Sequence, residues 1–397
     1  MKICGIICEY NPFHNGHAYL IERAKRESGC DAVVCVMSGN FTQRGEPALL
    51  DKYTRARHAV WAGADAVLEL PAAFAVSPAE LFAKGAVKIL SAIPAFGTLA
   101  FGCEKDDKGL FIAAAGKTAD ESPEQKAALR ESLRAGASLT KARTEALAQT
   151  GRGDLAQFLL EPNNILGCEY TKALRRSGSR AEILPVRRRG AAHADAEPKE
   201  NFSSATAIRA AVRGGRAQEI AGSVPPFVFS DLQNFTDDSR YKEFAHFSAL
   251  TADAETLASI VDCTEGLENR IKSCAKEADG FDGLIAAATT RRYISSRIRR
   301  ILAAAVLGIS EKLVRSALQS PLYLKLLALR ESRAEELLRE LSRSDFPLLA
   351  RRNDALALGG AAKEAYAKDL LADEVYRLCS KLPLRERLLP LVQDIKQ

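Results

Sequence analysis

Apolar positions along the first hundred residues follow two alternating rhythms. KICGIIC (2–8), DAVVCVMSG (31–39), ADAVLELP (64–71) and TLAFGCE (98–104) are apolar almost throughout. Between them lie GHAYLIERAKRES (16–28), KYTRARHAVWAG (52–63) and AELFAKGAVKIL (79–90), where apolar residues recur every three or four positions. The continuous runs predict strands buried on both faces, and the spaced ones predict helices. Leu20, Ile21 and Ala24 form the stripe of the first helix, and Gly63 suits the stop of the second. Strand and helix in alternation call for a parallel sheet covered on both sides, an α/β, Rossmann-like architecture.

Further along the rhythm changes. Residues 118–160 read as a polar helical excursion, AEILPVRR (181–188) as a fifth strand, and NFSSATAIRAAVRGG (201–215) as a helix capped by Ser203 or Ser204. The proline-bearing SVPPFVFSDLQNF (223–235) breaks the pattern and places a domain boundary near 220. Beyond about 241 the chain reads as helix, rich in Leu, Ala and Arg. ESRAEELLRELSRS (331–344) and DEVYRLCSKLPLRERLLPLV (373–392) are amphipathic and read as helices closing that half. The expectation is an α/β domain over 1–220 and a helical, basic domain over 221–397, two units being the natural division of 397 residues.

Composition narrows the class. With 47% hydrophobic and 27% charged residues the chain is too apolar for disorder, and no run approaches the roughly 20 apolar residues of a membrane span. The apolar run in MKICGIICEYNPF ends at Glu9, too early for a signal peptide, so the expected location is the cytoplasm. Nine cysteines, with no CxxC pair, read as reduced thiols. Cys4 and Cys8 share a strand face and read as core rather than metal ligands. A formal charge of +6 is mildly basic and names no partner by itself.

Chemistry concentrates at EYNPFHNGH (9–17), which places two of the five histidines just after the first strand. Ligands of open α/β sheets bind beyond the carboxyl ends of the strands, and a helix N-terminus there presents free N–H groups and a positive dipole end. Each interacting charge gains roughly 0.3–1 kcal/mol from such a dipole. Gly16 lets a phosphate approach the backbone, while His14 and His17, three apart, can donate to one polyphosphate. Such donors suit the charge that grows on a departing pyrophosphate. The plainer alternative makes both rings caps or scaffold. Neither a Walker A loop nor a GxGxxG fingerprint is present.

Through this HxGH element the chain resembles the HIGH-type nucleotidyltransferase superfamily. Through GIICEYNPFHNGH, VMSGNFTQRGEPA (36–48), DAVLELP (65–71), FGCE (101–104), EPNNILGCEY (161–170) and SSATAIR (203–209), in that order, it resembles the tRNA(Met) cytidine acetate ligase family. EGLENRI (265–271) and TRRYISSRIRRIL (290–302) also fit. The resemblance implies that acetate and ATP condense to acetyl-adenylate and pyrophosphate. The acetyl group then passes to the exocyclic amine of the wobble cytidine of elongator tRNA(Met), giving N4-acetylcytidine. It implies ATP as substrate; the triphosphate in turn implies Mg²⁺, carried by the ATP, with no metal assigned to the protein's own residues and no obligate protein partner inferred.

Carried onto this chain, the resemblance makes His14 and His17 catalytic. Its ATP site is Ile7, Cys8, Glu9, Tyr10, Asn11, Pro12, Phe13, His14, Asn15, Gly16, His17, Ala18, Tyr19 and Leu20, with Gly102, Asn163 or Asn164, and Arg188. Gly102 would leave room for the nucleoside, an asparagine would hydrogen-bond it, and Arg188 would neutralise phosphate. Ser204, Thr206 and Arg209 are second-rank phosphate contacts. The plainer readings make the asparagines a turn or cap, RRR (187–189) a solvated strand edge, and GNFTQRGEPA (39–48) a connector rather than a substrate loop. The family's tyrosine-histidine-aspartate string is replaced by RRGAAHADAEP, so His193 and Asp195 receive no role.

TRRYISSRIRR (290–300) holds five arginines and no acid. Read as a helix, it brings Arg292 and Arg299 to one face near Ser295 and Ser296, a stripe suited to phosphates, with Tyr293 able to stack. Arg291, Arg292, Tyr293, Arg297, Arg299 and Arg300 are therefore the expected tRNA contacts, an ordinary surface helix being the alternative. Two other functions use the same features: adenylyl or cytidylyl transfer to a small metabolite, and tRNA binding without turnover. The long basic helical half weighs against the first, and the paired histidines against the second.

Overall fold

The computed structural model describes residues 1–189, 202–380 and 391–394. The continuous apolar runs are strands: β1 (Ile3–Cys8), β2 (Ala32–Ser38), β3 (Ala66–Leu70) and β4 (Phe96–Cys103), joined by β5 (Glu182–Arg187). Every residue of β1, β2 and β3 is buried. Strands with no polar face cannot lie on a surface, so they pair in parallel, in the order β5-β4-β1-β2-β3, with helices over both faces. All five carboxyl ends consequently point the same way. Helix α1 (Asn15–Ser28) follows β1, and α2 (Lys52–Trp61) follows β2. All nine cysteines are free thiols, and Cys4 and Cys8 sit in the core.

The polar excursion folds as the helices Pro123–Arg134, Leu139–Gln149 and Gly153–Phe158. Past 241 the chain is mainly helical, but LKLLALR is strand β6 (Leu324–Arg330), antiparallel to β3 in the same sheet. The reading of helix throughout that half is corrected at this point. A short apolar run fits a buried helix and a buried strand equally, and the open edge of β3 decided between them. The last long helix, Gly360–Cys379, takes up the first part of the 373–392 stretch; residues 381–390 lie outside the described residues, and Leu391–Val392 is not helix but a short strand parallel to β6, whose free edge it joins.

Where β3, β6, α2 and the Gly360–Cys379 helix meet, the core is charged. Lys52 Nζ lies 2.8 Å from Glu69 Oε1 and 2.7 Å from Asp373 Oδ2, and Lys325 Nζ lies 2.9 Å from Glu69 Oε2. Lys52 and Glu69 are almost fully buried. Burial works to discharge each of them; the opposite charges around it nevertheless raise the Lys52 pKa and lower that of Glu69. Asn40 extends the network, donating to Asp373 at 2.9 Å and accepting from Lys52 N at 2.8 Å. Glu69→Gln keeps the shape and leaves two buried ammonium groups with less countercharge, so unfolding in urea should show a loss of about 3–5 kcal/mol.

Candidate active site

The chain leaves β1 at Cys8 and reaches α1 through a tight turn in which Tyr10 has φ +48° and the Asn11–Pro12 peptide is cis. Buried side chains hold that turn. Arg55, completely buried in α2, donates to Glu9 O at 2.6 Å, Ser38 O at 3.1 Å and Leu50 O at 2.9 Å, and also to Gly39 O. One cation thus gathers carbonyls at the ends of β1 and β2, groups that the ladder no longer satisfies. On the other side Arg209 donates to Asn11 O at 2.7 Å, and Asn11 Oδ1 accepts from Leu49 N at 2.8 Å.

His14 is the N-cap of α1. Its Nδ1 accepts from Gly16 N at 3.1 Å, while His17 Nδ1 accepts from His14 N at 3.2 Å, so the two rings form a reciprocal capping box. They stack, with centroids 3.7 Å apart and planes 22° from parallel, and Tyr10 closes edge-on against His17 at 4.8 Å. A Cβ on Gly16 would come within 2.9 Å of the His14 ring, so the glycine makes room for this stack. Because each Nδ1 is an acceptor, the proton of each neutral ring sits on Nε2. Burial, then His14 and Arg188 nearby, hold the His17 pKa well below the usual histidine range. His17 is therefore neutral near pH 7 and has an N–H on Nε2.

Both rings line an open cleft with about 860 Å³ of empty space, solvent included. Of the expected ATP residues, Ile7, Cys8, Glu9, Tyr10, Gly16, Tyr19, Leu20, Gly102, Asn163 and Arg188 line it with them. Asn11, Pro12, Phe13, Asn15 and Ala18 are outside the lining, the first three in the turn and the last two in the first turn of α1; Asn15, for example, donates to Gly222 O at 2.8 Å. The two asparagines separate. Asn163 lines the cleft, whereas Asn164 is buried, accepting from Glu104 N at 3.1 Å and donating to Phe158 O at 3.1 Å.

Arg188, at the end of β5, makes no side-chain hydrogen bond or ion pair with a described residue, and burial lowers its pKa. A partly desolvated guanidinium in that position suits an anion. Ser204, Thr206 and Arg209 stand behind the lining. Ser204 caps the Ala205–Arg213 helix, Thr206 accepts from Arg44 at 3.2 Å, and Arg209 lies 3.7 Å from Glu46. Sequence reasoning missed Phe101, Leu166, Tyr170, Val186, Arg187, Arg189, Phe202 and Ser203, which also line the cleft. Several neighbour residues already singled out, which was the only signal available. His193 and Asp195 lie outside the described residues.

The arginine-rich segment differs from its sequence reading. Its helix begins only at Ser295, so Arg292 and Arg299 do not share a helical face. Acids distant in sequence also meet most of these cations. Glu265 takes Arg292 through both carboxylate oxygens, Asp262 lies 3.2 Å from Arg297 and 3.6 Å from Arg300, and Asp282 lies 3.7 Å from Arg299. The Tyr293 hydroxyl donates to Glu265 O at 2.9 Å. Arg291 is exposed and makes no ion pair with a described residue.

Comparisons with known proteins show what the chain is similar to. The family model described as HIGH Nucleotidyl Transferase matches residues 1–388. A tRNA(Met) cytidine acetate ligase of Caldanaerobacter subterraneus is 36% identical over 388 residues, covering 96% of each chain. One of Acetivibrio thermocellus is 35% identical over 404 residues, again covering 96% of each. The apo crystal structure of Thermotoga maritima TmcAL superposes with a TM-score of 0.90 at 29% identity, covering 99% of this chain and 100% of that one. A second crystal form of that protein, bound with alpha-thio ATP, superposes with a TM-score of 0.87 at 28% identity over the same shares.

The histidines also set a pH dependence of stability. Burial depresses both His17 and His58, so below the unfolded value of about 6.5 the unfolded chain binds protons that the folded chain refuses. Stability from these groups is present above that pH and is lost as pH falls, by up to about 1.4 kcal/mol per pH unit per group. Urea unfolding at pH 7.5 and pH 5.5 should show a smaller decline in a His17→Asn variant than in the parent.

Proposed function

The chain belongs to the HIGH nucleotidyl transferase family and, within it, to the tRNA(Met) cytidine acetate ligases, and we propose that it uses ATP to acetylate the wobble cytidine of elongator tRNA(Met). In the first step a carboxylate oxygen of acetate attacks the α-phosphorus of ATP and pyrophosphate leaves. In the second, the exocyclic amine of the cytidine attacks the acetyl-adenylate and AMP leaves. The observation that carries the reading is the stacked histidine pair, each Nδ1 accepting a backbone N–H, sharing one cleft with Arg188, which makes no ion pair with a described residue. Donors already in place where charge develops on the pyrophosphate need no reorganisation during the reaction.

Roles follow from position. Gly102 and Asn163 flank the nucleoside, Arg188 neutralises phosphate, and His14 and His17 stabilise the departing pyrophosphate. Asn164, Thr206 and Arg209 act through the scaffold, because the protein itself engages their polar atoms. Mg²⁺ enters with ATP; among the described residues no group of three or more His, Cys, Asp or Glu could hold a metal ion. Residues 1–220 carry the nucleotide chemistry and residues 221–397 meet the tRNA. No helix among the described residues is long and apolar enough to cross a membrane, and a tRNA substrate puts the reaction in the cytoplasm.

Purified protein incubated with ATP, labelled acetate and unmodified tRNA should place the label on a cytidine, located by nucleoside analysis. Label-free tRNA, or adenylyl transfer to a small metabolite in its place, would refute the reading. His17→Ala should lower acetate-dependent ATP–pyrophosphate exchange by about 100- to 1000-fold, the usual effect of removing one preorganised donor.

For tRNA binding, Arg291 is the cation to test first, with Arg299 second because Asp282 is only 3.7 Å from it. Binding measured at several salt concentrations should weaken on Arg291→Ala, and the log–log salt slope should flatten by about 0.7–0.9 for each phosphate that is no longer neutralised. An unchanged slope in the double variant would remove this surface from the interface.

A further inference from the structure

Acylation of an exocyclic amine leaves a proton to be placed, and the cleft holds few groups able to take it. Glu9 is the only carboxylate among the described lining residues. The histidines are poor acceptors in this arrangement, because each Nδ1 already accepts a backbone N–H and each Nε2 carries the ring proton. Burial pushes the phenols of Tyr10 and Tyr170 upward, so both keep their protons, and the arginines keep theirs.

The Glu9 carboxylate is also oriented. Oε1 accepts from the Ser38 hydroxyl at 3.1 Å and from Gln43 N at 2.7 Å, and the Glu9 carbonyl is held by Arg55 at 2.6 Å. Oε2 makes no hydrogen bond with a described residue. One oxygen is fixed by the end of β2 and the loop that follows it, while the other has no such partner among the described residues and belongs to a residue that lines the cleft.

Resting on the acetyl-transfer reading above, we infer that Glu9 is a catalytic residue of the second step, its Oε2 accepting the proton of the attacking amine. The amine nitrogen forms a bond to the carbonyl carbon of the acetyl-adenylate, and the bond from that carbon to the phosphate oxygen breaks. AMP leaves with that electron pair, and the proton passes from nitrogen to Oε2 and then to solvent. No oxidant or further reactant is required. Ser38 and Gln43 are positioning residues in this scheme.

The test separates the two half-reactions. Acetate-dependent ATP–pyrophosphate exchange reports the first, and single-turnover transfer from preformed acetyl-adenylate to tRNA reports the second. Glu9→Gln keeps an oxygen able to accept from Ser38 and Gln43 and removes the basic site. It should slow transfer by at least about 100-fold more than it slows exchange, within the usual range for a lost general base. In the parent the transfer rate should rise with pH and then level off through an inflection; in Glu9→Gln that inflection should be absent. Glu9→Asp should restore part of the rate together with the inflection. Equal losses in both half-reactions would assign Glu9 to nucleotide binding, and an unaltered pH profile in Glu9→Gln would assign the proton elsewhere; either overturns the inference and leaves the ligase reading standing. A parent protein without acetate-dependent exchange would overturn both.

Discussion

The site depends on one desolvated cation. Arg55 sits wholly inside the protein and directs its donors to main-chain carbonyls of Glu9, Ser38, Gly39 and Leu50. Where parallel strands stop, their last carbonyls lose their ladder partners, and in an apolar interior each unpaired group costs about 1–3 kcal/mol. Gathering them on one guanidinium removes that cost and sets the direction in which the chain leaves β1. The direction determines the rest: the turn at Tyr10, the reciprocal cap of His14 and His17, and the cleft onto which both rings open.

The same logic ties the remote half of the chain to the cleft. The loop after β2 donates Gln43 N to Glu9, is anchored at Asn40 by the buried Lys52–Asp373 network, and reaches Thr206 through Arg44. At its tip Gly45 has φ +72°, and a Cβ there would stand 2.4 Å from the backbone of Arg299. Tyr241 donates to Gly45 O at 2.9 Å. One short segment therefore touches the carboxylate at the cleft, the helix behind it and the arginine-bearing helix. Close packing of this kind transmits displacement, because interiors compress little.

Charge in the second half shows how a sequence window can mislead. Eleven residues with five arginines and no acid read as a bare cationic stripe. In the folded chain Glu265, Asp262 and Asp282 come from other elements and stand beside four of the five. Local composition bounds the charge of a segment, whereas its field depends on everything packed against it.

The sequence alone determined the parallel strands, the helices between them and the meeting of the two histidines of EYNPFHNGH, because these depend on local spacing: continuous apolar runs must be covered on both faces, and two histidines three residues apart at a helix start must meet. The resemblance carried by the ordered motifs added the family. Only the tertiary structure decided that Asn163 lines the cleft while its neighbour Asn164 is used by the scaffold, that LKLLALR is a strand on the edge of β3, and that Arg55 and Glu9 converge on the same turn. Each of these depends on partners dozens to hundreds of residues away, and no local periodicity encodes which buried polar group will meet which.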